Sequence, residues 1–292
     1  MLREYVKFFN TALQRSPTPG NPFDRIYIDA FAGTGECDIK LDAQHRISIA
    51  GSARIAAEAV PPFHKIHLVD LNPKHVQALK GIRVDGGAEL TVHQNDANAA
   101  LNEILRTVSW RRTRGVLFLD PYGMAVDWST LERIAETRAV DVWYLFPLSG
   151  VYRQAANDFD KVDQSKAAKL DSVLGTTAWR TTFYRPDPQS SLLGHQAGIT
   201  RTAGPNEIAT FVHMRLQSIF RGWVSPPIFL PETGAPIFAL FFAVANPAEK
   251  AVQLSKKAAE HLFGMLKNKR IGNVQKSPSV EHGKGDLFDF SD

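Results

Sequence analysis

Ile26-Tyr27-Ile28-Asp29-Ala30-Phe31-Ala32-Gly33-Thr34-Gly35 decides how this chain folds. Its first half has the branched and aromatic residues of a short buried strand. Its second half carries two glycines one residue apart, which let a backbone turn tightly and come close to a ligand. A strand followed by such a turn reads as the entrance to a nucleotide-type site. Asp29, four residues before the first glycine, sets the character of that site. Its negative charge repels a pyrophosphate and favours a cationic head group. The third small residue of a dinucleotide fingerprint is also missing, because Asp38 stands three places after Gly35. Both features disfavour a nicotinamide-dependent oxidoreductase and favour a ligand with an ammonium group, S-adenosylmethionine.

Outward from this stretch the pattern alternates. Residues 2–14 place Leu2, Tyr5, Val6, Phe9 and Leu13 near helical spacing, and Pro17, Pro19, Gly20 and Pro22 end that helix. A polar loop or hairpin is expected to about Ile49, then a helix from Gly51-Ser52 to Val60 with Ser52 as its cap. Strands are expected at Ile66 to Asp70, Thr91 to His93, Val116 to Leu119 and Val140 to Phe146. The intervening helices start near Asn72-Pro73, Ala97 and Ser129. Strands alternating with helices in this way specify βαβ units and a doubly wound parallel sheet. From 149 to 222 the strand pattern gives way to a mainly helical insertion, with helices at 164–174 and 205–220, expected on the substrate side. Two strands, Val224 to Leu230 and Ile237 to Val244, flank the turn Pro231-Glu232-Thr233-Gly234, and a helix from Pro247 to about Lys267 follows. Residues 271–292 read as a flexible tail, in which Leu287, Phe288 and Phe290 are the residues able to dock.

Composition sets the outer limits. The 292 residues suffice for one large α/β domain, and 44% hydrophobic with 22% charged residues is ordinary for a soluble globular chain. The longest apolar run, Ile237 to Ala245, is far short of the roughly 20 residues a membrane helix needs. Arg3, Glu4 and Lys7 interrupt the N-terminal apolar pattern, unlike a secretory signal. Cys37 is the only cysteine, so no internal disulfide forms, no cysteine cluster binds metal, and a cytoplasmic setting is expected. The net charge of +4 suits a nucleic-acid partner without requiring one. Arg111, Arg112 and Arg114 precede a strand and read as a solvated loop away from the site, while Lys267, Lys269 and Arg270 complement a helix C-terminus. His213 and the other histidines have no metal-ligand spacing.

Ligands of open parallel sheets bind beyond the carboxyl ends of the strands. Asp29, Asp70, Asp96 and Asp120 each fall at such an end. Asp29 is the candidate for the amino group of the methionine moiety, with Ala30, Phe31, Gly33 and Gly35 forming the turn beneath it. Asp70, beside Leu71, is the candidate for the ribose hydroxyls. Asp96 would accept from the adenine amino group, and Ala97 would offer its backbone N–H to the ring. Asp120, the Pro121 carbonyl and Tyr122 suit methylation of an exocyclic amine: two acceptors hold the amino hydrogens and an aromatic ring stacks on the base.

These segments also carry a resemblance. Asp29 to Gly35, Gly51-Ser52, Leu119-Asp120-Pro121-Tyr122-Gly123, Val126, Trp128 and Val140 to Pro147 together resemble the three-Cys-motif partner proteins, over most of residues 1–150 and again near Phe238 to Pro247. The resemblance implies a Rossmann-like class I methyltransferase fold: a mostly parallel twisted sheet with helices on both faces and an antiparallel C-terminal strand. It also implies association with a separate radical S-adenosylmethionine-like protein that carries the three cysteines. Asp120-Pro121-Tyr122 is similar as well to adenine N6-methyltransferases of ribosomal RNA and DNA, which have Asp/Asn-Pro-Pro-Tyr/Phe; one proline is missing here, so Tyr122 stands one place early. The expected activity is methyl transfer from S-adenosylmethionine to an amino nitrogen, adenine N6 of a nucleic acid first. The alternative is a non-catalytic cofactor-binding partner of the cysteine-motif protein.

Overall fold

The computed structural model describes residues 1–18, 20–40, 46–186, 198–231 and 233–272. Helix α1 (Leu2–Leu13) buries Tyr5, Val6, Phe8 and Phe9. Two short strands, β1 (Pro17–Thr18) and β2 (Asn21–Pro22), pair with each other before the organising strand β3 (Asp24–Asp29). After the glycine turn, β4 (Glu36–Lys40) and β5 (Arg46–Ala50) form an antiparallel ladder. Then come α2 (Ser52–Ala57), β6 (Lys65–Asp70), α3 (Pro73–Lys80), β7 (Glu89–Gln94), α4 (Ala97–Thr107), β8 (Thr113–Leu119), α5 (Trp128–Glu136) and β9 (Val140–Phe146). Beyond β9 the chain forms α6 (Leu148–Gln154), α7 (Gln164–Leu174), α8 (Trp179–Phe183), the paired strands β10 (Tyr184–Pro186) and β11 (Ile199–Arg201), and α9 (Pro205–Ile219). The last described elements are β12 (Trp223–Val224), β13 (Ile228–Leu230), β14 (Phe238–Val244) and α10 (Glu249–Gly272).

The result is a mixed α/β protein around an eight-stranded, mostly parallel sheet of order β12-β14-β9-β8-β3-β6-β7, with β13 also on β14. Strands β7, β6, β3, β8 and β9 run parallel, and β14 runs antiparallel beside β9. The chain winds from β3 outward through β6 to β7 and then restarts at β8 on the other side of β3. That reversal opens a crevice at the carboxyl ends of β3 and β8.

Strand alternation feeds two cores. Ile26, Ile28, Val142, Tyr144, Phe146 and Phe241 face one side, against α4 to α7 and α9. Tyr27, Ile66, Leu68, Val116, Trp143 and Phe242 face the other, against α1, α2 and α10. Helices therefore cover both faces, as parallel strands buried on both sides require.

Three sequence expectations change in detail. The stretch Val224 to Leu230 is not one strand: Pro226 and Pro227 have no N–H to give a ladder, so it divides into β12 and β13, both antiparallel on β14. Ser52 is not the cap of α2; Gly51 holds that place, and Ser52 is the first helical residue. The 149–222 segment is mainly helical but also contains the β10–β11 ladder. Of the expected tail, 271–272 continue α10 and the remainder lies outside the described residues. Among the described residues no helix is long and apolar enough to cross a membrane.

Candidate functional site

A cavity of about 980 Å³ opens at the carboxyl ends of the parallel strands, at the top of the 300–1,000 Å³ range of small-molecule sites. Its floor is the turn that follows β3. That turn is tied to both neighbouring strands: Ala30 N–H donates to the Phe118 carbonyl at 3.2 Å and Ala32 N–H to the Val69 carbonyl at 2.9 Å. Gly33 N–H then donates to Asp70 Oδ2 at 2.9 Å. Gly35 has φ 82°, in the left-handed region, and a Cβ there would stand 2.7 Å from Ile82 Cδ1. Gly51 N–H donates to the Gly35 carbonyl at 3.0 Å, and a Cβ on Gly51 would lie 2.9 Å from that carbonyl. Only glycine permits these two backbones to touch.

Ala30, Phe31, Gly33, Asp70, Leu71, Asp96, Ala97, Asp120, Pro121 and Tyr122 all line the cavity, so ten of the twelve sequence-derived candidates converge. The other two do not reach it. Gly35 packs beneath, on Ile82. Asp29 is 0% exposed and lies under the floor, where its Oδ1 accepts from Phe31 N–H at 3.2 Å and its Oδ2 from the Tyr27 hydroxyl at 3.4 Å. The Asp29 carboxylate therefore has no face in the cavity and instead holds the turn that forms its floor. Burial is the main reason its carboxyl is pushed up to about 6, against the hydrogen bonds from Ser52 and Phe31 and with the charge of Asp120 adding to the rise.

The remaining acids are held differently. Asp70 is fixed on both oxygens: Oδ2 by Gly33, and Oδ1 by Asn72 N–H at 2.7 Å and His75 Nδ1 at 3.1 Å. Asp96 caps α4, its Oδ1 accepting from Asn98 N–H at 2.9 Å and Ala99 N–H at 3.1 Å. Asp120 is open to solvent at the mouth, but protein atoms crowd it from below, and that partial desolvation raises its carboxyl above the usual range. Leu71 (71% exposed), Tyr122 (91%) and Ile237 (47%) form an apolar rim above these acids.

The sequence reading missed Glu36, Asn72, His75, Asn95, Arg153 and Ile237, all of which line the cavity. Asn72, His75 and Asn95 flank Asp70 and Asp96 closely enough for the strand-end rule to have found them. Ile237 arrives through the non-local pairing of β14 with β9, which sets Ala239 opposite Phe146, whereas Arg153 lies one helix past the carboxyl end of β9. Among the described residues of the 149–222 segment, Ser149, Gly150 and Arg153 line the cavity. The Arg111 to Arg114 group lies at the other end of the sheet, where Arg114 stacks on Phe23 at 3.8 Å and Arg112 bonds to Asn21.

Fold and site together describe an α/β protein with a ligand-sized cleft at its sheet crossover. No family model matches the chain, and no curated protein matches it. Among solved structures it is similar to the crystal structure of protein LPL1258 from Legionella pneumophila strain Philadelphia 1, described with the family model DUF519, at 12% identity and a TM-score of 0.48, over 87% of this chain and 89% of that one.

Proposed function

We propose that the chain is an S-adenosylmethionine-dependent methyltransferase that delivers the methyl group to an amino nitrogen, adenine N6 of a nucleic acid being the acceptor. The observation that carries this reading is the charge of the cavity. Among the described residues Asp70, Asp96 and Asp120 line it, together with Glu36 that is ion-paired to Arg54 at 2.6 Å, against only His75 and Arg153, and His75 is bound to Asp70. Such a wall opposes a pyrophosphate and attracts a sulfonium or an ammonium ion. The parallel sheet with helices on both faces and an antiparallel β14 supports a Rossmann-like, class I methyltransferase-like arrangement.

In this reading Asp70 and Asp96 hold the nucleoside. Asp70 Oδ2, which accepts only from Gly33, keeps a lone pair for a ribose hydroxyl, and Asp96 Oδ2, with no partner among the described residues, is open to an adenine amino group. The acceptor amine lies at Asp120, whose carboxylate takes one N–H while the Pro121 carbonyl takes the other. The nitrogen lone pair attacks the methyl carbon as the carbon–sulfur bond breaks. The bonding pair goes to sulfur, S-adenosylhomocysteine leaves, and the amine proton passes to Asp120 or water. The raised proton affinity of Asp120 suits it to receive that proton.

Calorimetry tests this directly. Asp70→Asn is expected to weaken S-adenosylmethionine binding at least tenfold, about 1.4 kcal/mol. Asp120→Asn is expected to leave donor affinity nearly unchanged and to cut labelled-methyl transfer to nucleic acid by about 10²-fold or more. Absence of binding heat at millimolar ligand rejects the proposal. Binding without methyl incorporation into RNA or DNA identifies instead the non-catalytic partner of a radical S-adenosylmethionine-like protein.

A further inference from the structure

Charge of both signs lines the cavity, and Asp120, at the end of β8, stands between the extremes. Asp70 and Asp96 stand at the ends of β6 and β7, on one side of the crossover between β3 and β8. Arg153 stands on the other, on α6 directly after β9. In the strand order, β9 is three spacings from β6, about 14 Å at the usual strand separation. Asp70 and Asp96 thus approach the cavity from different strands than the guanidinium does.

An exposed arginine is usually no more than a solvated charge, so its surroundings decide. Of the other arginines in the 149–222 segment, Arg180 pairs with both oxygens of Asp171, Arg201 lies 3.4 Å over the Tyr152 ring and Arg215 binds the Leu174 and Gly175 carbonyls, while Arg221 is exposed away from the cavity lining. Arg153 alone of them lines the cavity. Its Nε donates to the Ser149 carbonyl at 3.3 Å, and among the described residues its two terminal amino groups have no partner and it makes no ion pair. Its base is firmly held, because Leu148 and Val151 are fully buried and Ser149 N–H donates to the Ile237 carbonyl at 2.9 Å. A cavity-lining arginine on a firmly packed helix, with its terminal amino groups unpartnered among the described residues, can serve an anion, and its fork fits phosphate bidentately.

The cavity also presents Tyr122, Ile237 and Phe238, an apolar surface with an aromatic face in solvent. Such faces stack a base whatever its sequence context. We propose that Arg153 is a specificity-determining residue that holds the phosphate of a nucleoside phosphate, free or within a strand, whose base rests on Tyr122. This inference builds on the methyltransferase reading by naming the acceptor class.

The test titrates adenosine, adenosine 5′-monophosphate and a short single-stranded oligonucleotide into wild type, Arg153→Ala and Arg153→Lys, each saturated with S-adenosylhomocysteine. Wild type is expected to prefer the monophosphate over adenosine at least tenfold. Arg153→Ala loses that preference, Arg153→Lys keeps part of it, and S-adenosylhomocysteine binds all three within twofold. A further gain for the oligonucleotide identifies a strand, and equal binding identifies the free nucleotide; both support the role of Arg153. The proposal is overturned if wild type does not distinguish the monophosphate from adenosine, or if Arg153→Ala weakens S-adenosylhomocysteine instead. Should S-adenosylhomocysteine not bind at all, the methyltransferase reading fails, and the same nucleotide titrations on the unliganded protein still decide whether Arg153 holds phosphate.

Discussion

Asp29 and Asp141 are both fully buried carboxylates, at opposite ends of the sheet. Asp141 Oδ2 accepts from the Tyr5 hydroxyl at 2.5 Å and from the Ser255 hydroxyl at 3.2 Å, so α1, β9 and α10 meet on one oxygen. Burial outweighs these bonds and the nearby Arg114, and pushes the Asp141 carboxyl up to about 6. An unfolded aspartate titrates near 3.9. Between about pH 4 and 6 the folded protein therefore binds more protons at Asp141 than the unfolded chain, and stability is lost as pH rises through that window. At about 1.4 kcal/mol per pH unit, the loss reaches about 3 kcal/mol. Asp141→Asn still accepts the Tyr5 bond but does not ionise. Urea unfolding at a series of pH values is expected to show the variant gaining on wild type from pH 4 to 6, with a constant difference above. Parallel curves across that window would refute the assignment.

At the scale of elements, the broken edge strand shows what local sequence can and cannot specify. Strand β9 at 140–146 and helix α7 at 164–174 were legible to the residue, because continuous apolar runs and helical spacing are local signals. The division of 224–230 was signalled by Pro226 and Pro227, but how Ser225 meets β14 at that break was not. Ser225 N–H donates to the Phe242 carbonyl at 2.8 Å, and its hydroxyl accepts Phe242 N–H at 2.9 Å, taking the place of a ladder carbonyl next to the two prolines. Ser225 is 0% exposed, so Ser225→Ala leaves a buried N–H unpaired and is expected to cost about 1–3 kcal/mol. Ser218→Ala, at an exposed position, should stay within about 0.5 kcal/mol of wild type. Equal urea midpoints for the two variants would mean that Ser225 does not complete the ladder. The site divides in the same way: strand ends put Asp70, Asp96 and Asp120 on view in the sequence, whereas the withdrawal of Asp29 under the floor is a tertiary effect and Ile237 comes into the cavity through a distant pairing.

For the molecule as a whole, the decisive fact is that its two cores share their strands. Trp143 points into the core under α1 and α10, while the adjacent Val142 and Tyr144 point into the other, with Trp179. Strand β14 divides likewise between Phe241 and Phe242. Melting either core removes one side of the same strands, so neither layer has a stable form without the other. Unfolding should then be one cooperative transition. Trp143→Phe and Trp179→Phe each delete one reporter. The first removes a buried indole N–H that has no hydrogen-bond partner among the described residues, so its cost is limited to lost volume. The second removes an indole that donates to Asp171 at 2.7 Å, and should be the more damaging. In each variant, fluorescence and far-UV circular dichroism are expected to give superimposable urea curves with equal slopes. Two separated transitions, with the Trp179 side yielding before the Trp143 side, would show that the helical segment after β9 folds as a unit of its own and that the cavity wall carrying Arg153 can detach from the strands that carry Asp70 and Asp96.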